Sequence, residues 1–240
     1  MSQTILITGA SSGLGLAFLH HYASQPTTSL VIALDIAQPP DSASNLPNVT
    51  FFHADISSET RLREIATQIA TQPIDILLHC AGIRGLNPVT IAQQQDVAAA
   101  ETLQTTTAAT LLHTFIINTL GTFLTLSFFT PNLLLSSAPK VIILSSRMGS
   151  VSSNTAGGGY AYRASKAALN AVVKSFSIDV PDVAFLLLHP GRVETGLVLW
   201  REEGAISVDE SLKDCLTVIE GMRVSDGLRL VDRFGAEIPW

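Results

Sequence analysis

Only two of the 240 residues are cysteine, Cys80 and Cys215. They form neither a disulfide framework nor a zinc-like ligand spacing, which points to a reducing, cytoplasmic setting and to no metal. Charge is scarce too: Asp, Glu, Lys and Arg make up 14% of the chain, with a net charge of -6. Without a Lys/Arg run, the chain lacks the electrostatic footprint of a nucleic-acid binder. No basic region with a cleavage site precedes the strand-like Thr4–Thr8, so no signal peptide is expected. No internal repeat and no interdomain linker appears, and one domain over residues 1–240 is expected.

Hydrophobic residues, at 47%, are plentiful enough for a large core. Short β-rich apolar runs alternate with longer helical patterns, the signature of a doubly wound parallel α/β sheet with helices on both faces. The predicted strands are Thr4–Thr8, Leu30–Leu34, Val49–His53, Ile74–His79, Lys140–Leu144, Val183–His189 and Leu228–Val231. Helices are expected over Leu14–Ser24, Glu59–Thr71, Thr110–Thr130, Tyr162–Ile178 and Val208–Gly221, the last opened by the capping-box pattern Ser207-Val208-Asp209-Glu210. Residues 37–48 and 149–159 read as loops. The stretch Thr110–Leu135 is apolar enough to be weighed as a membrane span. It carries His113, Asn118 and Gly121 and is broken at Pro131-Asn132, so a buried helix at a subunit interface is the better reading.

The first strand leads into Thr8-Gly9-Ala10-Ser11-Ser12-Gly13-Leu14-Gly15 and then a helix. Glycines at a strand-to-helix turn let backbone approach a pyrophosphate, and the helix N-terminus supplies N–H groups and a positive dipole end. Asp35 ends the second strand twenty residues after Gly15. An acid there accepts hydrogen bonds from adenosine ribose hydroxyls and repels a 2′-phosphate. No cation lies within Thr8–Leu14 or closely follows Asp35. NAD(H) is therefore favoured, with NADP(H) the alternative. Further along, Tyr162 and Lys166 stand four residues apart in a helical pattern, which puts phenol and ammonium on one face. A cation beside a phenol favours the phenolate and makes it a usable proton donor near neutral pH.

Together these motifs resemble the short-chain dehydrogenase/reductase family over essentially the whole chain. The resemblance is carried by Thr8–Gly15, Asp55-Ile56, Cys80-Ala81-Gly82, Asn118, Ser145-Ser146, Tyr162-x-x-x-Lys166 and Pro190-Gly191 with Thr195. The segments Tyr160–Lys166 and Phe234–Trp240 look most like its C-factor/sniffer-type carbonyl reductase branch. The resemblance implies a Rossmann-type fold and NAD(P)(H)-dependent interconversion of a carbonyl and an alcohol. Tyr162 would donate or accept the proton as hydride moves. Lys166 would hold nicotinamide-ribose hydroxyls and lower the Tyr162 pKa, and Ser146 would steady the substrate oxygen. Asn118 would help hold a water that links Lys166 to solvent. Cofactor contacts would come from Gly9, Ser11, Ser12, Gly13, Leu14, Gly15, Asp35, Asp55, Ile56, Cys80, Ala81, Gly82, Tyr162, Lys166, Pro190, Gly191, Val193 and Thr195.

Ser145 is the competing hydroxyl, Tyr160 belongs to the substrate pocket or to packing, and His189 reads as structural. The chain departs from the family where His79-Cys80 replaces the frequent Asn-Asn, which puts local stability in doubt. It also has a longer Ser146-to-Tyr162 separation than is common. A substrate lid is expected near 194–207, where Leu197, Val198, Leu199 and Trp200 suit a hydrophobic small-molecule carbonyl or alcohol. Arg147 and Arg201 leave an anionic substrate open. The helices Thr110–Thr130 and Tyr162–Ile178 are implied to build a homodimer or homotetramer, with Ala167, Ala168 and Ala171 allowing close approach. Two other functions share this scaffold: a non-redox isomerase, dehydratase or cyclase, and a binding protein that senses nicotinamide nucleotides. An intact Ser146, Tyr162 and Lys166 argues against the sensor.

Overall fold

The computed structural model of the chain describes residues 2–198 and 202–240. Seven strands, β1 (Gln3–Thr8), β2 (Thr28–Asp35), β3 (Val49–His53), β4 (Ile76–His79), β5 (Lys140–Leu144), β6 (Ala184–His189) and β7 (Leu230–Asp232), form one sheet. Their order is β3-β2-β1-β4-β5-β6-β7, and every pairing is parallel. Successive side chains of a strand point to opposite faces, so a strand covered on both faces must be apolar at both parities. That is what the sequence provides. Ile5, Ile7, Val31, Ala33, Leu78 and Ile142 pack on one side with α1 (Gly13–Ala23) and α9 (Val208–Gly221). Leu6, Ile32, Leu34, Leu77, Val141 and Ile143 pack on the other with α3 (Glu59–Gln68), α7 (Gly121–Leu133) and α8 (Tyr160–Asp179).

The strand order reverses between β1 and β4. Chains leaving their carboxyl ends diverge to opposite faces, and this opens a crevice at the end of the sheet. All the predicted strands exist, with shorter or longer ends. The first predicted loop, and the stretch after β4 for which the sequence named no element, hold short helices. A one-turn helix, α2 (Asp41–Ser44), lies in the first, and α4 (Pro88–Gln94) and α5 (Val97–Ala100) fill the stretch after β4. These short helices are set by local caps: Asn87 Oδ1 accepts from the N–H of Val89 and Thr90, and Asp96 Oδ1 from that of Ala98.

The long apolar helix corrects one expectation. It is not broken at Pro131; α6 (Ala108–Phe115), a π-helical turn (Ile116–Leu120) and α7 run on to Leu133. Proline removes an N–H only two residues before the helix ends, where little ladder remains to lose. Asn132 is held by its side-chain amide, which donates to Ile69 and Gln72 carbonyls at 2.7 and 2.9 Å. Ala108–Leu133 is, among the described residues, the one helix long and apolar enough to cross a membrane, but its inner face is packed in the fold. On that face Asn118, Thr122 and Thr125 are fully buried and hydrogen-bonded.

Candidate active site

The crevice at the switch point widens into a cavity of about 800 Å³. Its floor is the β1–α1 turn. Gly9 has φ +66°, and a Cβ there would stand 2.7 Å from the Ala81 nitrogen; one on Gly15 would meet the Gly9 carbonyl oxygen at 2.0 Å. Only glycine lets this turn close against β4. Ser12 is the N-cap of α1 but makes no side-chain capping bond, so the first-turn N–H groups face the cavity without an internal side-chain acceptor. A narrow glycine floor under a helix N-terminus fits a pyrophosphate.

Asp35 lines the cavity beyond this turn, held by its neighbours. Its Oδ2 accepts from the Ser11 N–H at 2.9 Å and its Oδ1 from the Ala37 N–H at 3.1 Å. Ser11 is therefore a support for Asp35 and not part of the cavity wall; its hydroxyl donates to the Ala37 carbonyl. Asp55 and Ile56 line the same end. Asp55 accepts from the Ser57 N–H and hydroxyl, and Ile56 fills the space left by Gly121, where a Cβ would stand 2.7 Å from its Cδ1. Gly9, Ser12, Gly13, Leu14, Gly15, Cys80, Ala81, Gly82, Pro190, Gly191, Val193 and Thr195 all reach the wall. Val193 fastens the segment after β6 to itself, and Thr195 brings it against the floor. Val193 bridges to Ile206, and the Thr195 methyl lies 3.1 Å from where a Gly13 Cβ would be. Leu197 and Val198 also line the cavity. Leu199, Trp200 and Arg201, expected in the lid, fall outside the described residues.

The other end holds Ser146, Tyr162 and Lys166. Three consecutive glycines, Gly157 to Gly159, take φ of +67°, +63° and +59° and wind the chain into α8, which absorbs the long separation from Ser146. Tyr162 is buried at the cavity edge, and the Ser146 side chain acts on its phenol to favour the ionised form. Ser145, the competing hydroxyl, also reaches the cavity wall, but its Oγ donates to Asn170 Oδ1 at 2.7 Å in the interior. Tyr160 sits on the outer side of the first turn, 40% exposed and off the cavity wall.

Lys166 is 3% exposed; its Nζ donates to the Leu144 carbonyl at 2.8 Å, and burial pushes its pKa down to about 8. It therefore remains largely a cation at pH 7. The Tyr162 phenol is held above its ordinary value by burial, against which the Arg84 guanidinium and the Ser146 hydroxyl pull downward. Arg84 was not anticipated. Its guanidinium carbon lies 4.8 Å from the Tyr162 ring centroid, nearer than the Lys166 Nζ at 5.8 Å.

Asn118 is fully buried in the π-helical turn. Its Oδ1 accepts from the Ile83 N–H at 2.8 Å, and its Nδ2 donates to the Ile83 carbonyl at 2.9 Å and to Ser165 Oγ at 3.0 Å. The side chain is thus a tether between the β4 exit and α8, with both amide protons used. Its carbonyl accepts from Thr122 Oγ1. Gly82 lies directly against this tether, a Cβ there standing 3.1 Å from Asn118 Oδ1. His189 lines the cavity, and burial together with the Arg147 charge lowers its pKa to about 4, leaving a neutral ring. Among the described residues no group of His, Cys, Asp and Glu is placed to hold a metal.

The sequence model of the short chain dehydrogenase family matches residues 3–204. The chain is 36% identical over 181 residues to the C-signal protein of Myxococcus xanthus, covering 75% of this chain and 100% of that one. A short-chain dehydrogenase/reductase of Burkholderia multivorans with bound NADP superimposes with a TM-score of 0.85 at 26% identity, covering 100% of both chains. The carbonyl reductase Sniffer of D. melanogaster does so with a TM-score of 0.83 at 25% identity, again over 100% of both.

Proposed function

The chain belongs to the short-chain dehydrogenase/reductase family and is an NAD(P)-dependent oxidoreductase, and from that premise we propose that it interconverts an apolar small-molecule carbonyl and its alcohol, with Tyr162 handling the proton. The observation that carries this reading is the convergence of Ser146, Tyr162 and Lys166 at one end of a cavity whose other end is a glycine floor and Asp35. A nicotinamide held in this cavity would supply or take up the hydride. Tyr162 gives its proton to the carbonyl oxygen, and Ser146 hydrogen-bonds that oxygen as negative charge develops on it. Lys166, fixed by the Leu144 carbonyl, holds ribose hydroxyls and adds positive charge. On the substrate side, Leu197 and Val198 of the segment after β6 line the cavity and favour an apolar substrate. The unpaired thiols of Cys80 and Cys215 support a reducing, cytoplasmic setting.

The finer cofactor choice rests on Asp35. Its carboxylate is anchored by two backbone N–H groups, and the wall around it (Ser12, Leu34, Ile36, Asp55) carries no cation to balance a 2′-phosphate. NADH should bind at least tenfold more tightly than NADPH, about 1.4 kcal/mol, and Asp35→Ser should narrow that gap. A panel of ketones and alcohols run with both cofactors, followed at the nicotinamide absorbance and by fluorescence titration, tests activity and preference together. NADPH binding as tight as NADH removes the Asp35 argument. No turnover across the panel removes the carbonyl reading.

Assembly follows from a second surface. Leu111, Leu112, Phe115, Leu120 and Phe123 of α6, the π-helical turn and α7 are exposed, and Phe123 packs on Phe176 of α8 with ring centroids 5.9 Å apart. Ala167 and Ala168 are half-buried on α8, and Ala171 is exposed. Such a stripe on a chain so poor in charge supports at least a homodimer built across these helices. Sedimentation at micromolar concentration should give a dimer or tetramer mass; a monomer removes the proposal.

A further inference from the structure

Arg84 belongs to none of the motifs that define the site, yet it lies at its reacting end. It follows β4 by five residues, past the close approach of Gly82 to Asn118. Its Nε and Nη2 bind Glu101 Oε2 and Oε1, each at 3.0 Å, in a two-pronged pair whose side chains are only 16% and 14% exposed. The carboxylate fixes the plane and distance of the guanidinium, because a planar fork docked on two oxygens has little freedom left. Held so, it lies against the Tyr162 ring at 4.8 Å from the centroid. Glu101 grips the same region a second way. Its backbone carbonyl accepts from the Gly159 N–H at 2.8 Å, and Gly159 is the N-cap of the helix that carries Tyr162.

We propose that Arg84 is a positioning residue for Tyr162: its guanidinium, locked by Glu101 against the face of the phenol, stabilises the phenolate and so shares with Lys166 the task of making the ring a proton donor. This rests on the reading of Tyr162 as the proton-transfer group. The physical basis is simple. A cation on an aromatic face is attracted to the ring, and more strongly to one carrying a negative charge. Burial works the other way, since a phenolate taken out of water is disfavoured. A single lysine, itself weakened by burial, then has a partner in a residue that stays charged at every relevant pH.

The charges around the ring come from every element packed on it. Lys166 faces it from α8 and Arg84 from the segment after β4. Glu101 opposes them from beyond α5, and the Ser146 hydroxyl approaches from β5. Glu202 faces Arg84 from the segment after β6, while His79 and Cys80 face Lys166. Burial keeps both of those neutral: it lowers the His79 pKa and raises that of the Cys80 thiol. His113, Arg147, Arg163 and Arg192 also line the cavity.

The test is a titration of Tyr162 itself in the full chain, read as tyrosinate absorbance after subtracting the Tyr162→Phe protein in each background. Arg84→Met and Arg84→Gln should raise the midpoint by about one pH unit or more, Arg84→Lys should raise it less, and Glu101→Gln should not raise it. A merely structural role gives the opposite sign in the neutral variants, because a loosened site exposes the phenol and lets its midpoint fall toward the solvent value. In turnover, the rising limb of the pH profile for alcohol oxidation should move up with kcat while KM changes little. An unchanged or lowered midpoint in whichever neutral variant folds overturns the proposal, as does an Arg84→Lys shift equal to theirs. If Tyr162→Phe keeps full turnover, the catalytic reading of Tyr162 fails, and the titration still reports whether Arg84 sets its ionisation.

Discussion

Tyr162→Phe should lower carbonyl reduction by about 10³-fold while leaving NADH affinity within about twofold of the parent. The substitution removes one hydroxyl and nothing else of consequence. The ring that remains still fills the space between Arg84 and Lys166, and Lys166 keeps its bond to the Leu144 carbonyl. Ser146 keeps the bond it accepts from the Met148 N–H at 3.1 Å, so the loop before α8 has no reason to shift. The glycine floor and Asp35 lie at the far end of the cavity and are untouched. A fall in kcat with an unaltered binding isotherm therefore isolates proton transfer from cofactor binding. Stopped-flow turnover at saturating NADH, beside a fluorescence titration, measures both. Retained turnover would mean that another group supplies the proton, and equal losses of binding and turnover would mean that the phenol is structural.

The parts of this site that could be read from sequence are those whose function depends on neighbours along the chain. The glycine turn, Asp35 at a strand end and the one-turn spacing of Tyr162 and Lys166 are local patterns, and α1, β2 and α8 carry them into place. The apolar content of β1, β2, β4 and β5 at both parities made a two-faced sheet legible in the same way. What escaped depends on contacts between distant segments. Ser145 and Ser146 differ only in which way a strand end points, and the decision lies with Asn170 on α8. The family resemblance implies a water at Asn118, and a lone polar residue in so apolar a helix needs a partner. The partner is the Ile83 backbone, which no spacing in the sequence announces. Arg84 and Glu101 are seventeen residues apart across α4 and α5, two helices too short to leave a periodic signal, so neither residue stood out.

His79 shows a departure from the family pattern that the fold turns into a different tie, and it carries the second large effect. Its Nδ1 lies 3.0 Å from Thr8 Oγ1 on β1 and its Nε2 3.0 Å from Thr122 Oγ1 on α7. Thr122 gives its only hydroxyl proton to the Asn118 carbonyl at 2.7 Å, so it must accept from the ring, and Nε2 carries the proton. Nδ1 is then the acceptor of the Thr8 hydroxyl, whose oxygen in turn accepts from the Ala81 N–H at 3.3 Å. Every bond in the chain presupposes a neutral ring. Burial, reinforced by the Lys166 charge, accordingly pushes the His79 pKa from 6.5 down to about 3. Because the unfolded chain takes up a proton that the folded chain refuses, stability is full above pH 6.5 and declines as pH falls toward 3. At pH 4 the loss from this one group is about 3 kcal/mol. His189, pushed down to about 4, steepens the decline in the same direction. Urea unfolding at a series of pH values should show this slope, and His79→Gln, which offers an acceptor and a donor but does not titrate, should flatten it. Equal slopes in parent and variant would place the acid sensitivity elsewhere. A flatter slope would mean that the histidine which ties β1 to α7 beneath the nucleotide floor also makes the fold sensitive to acid.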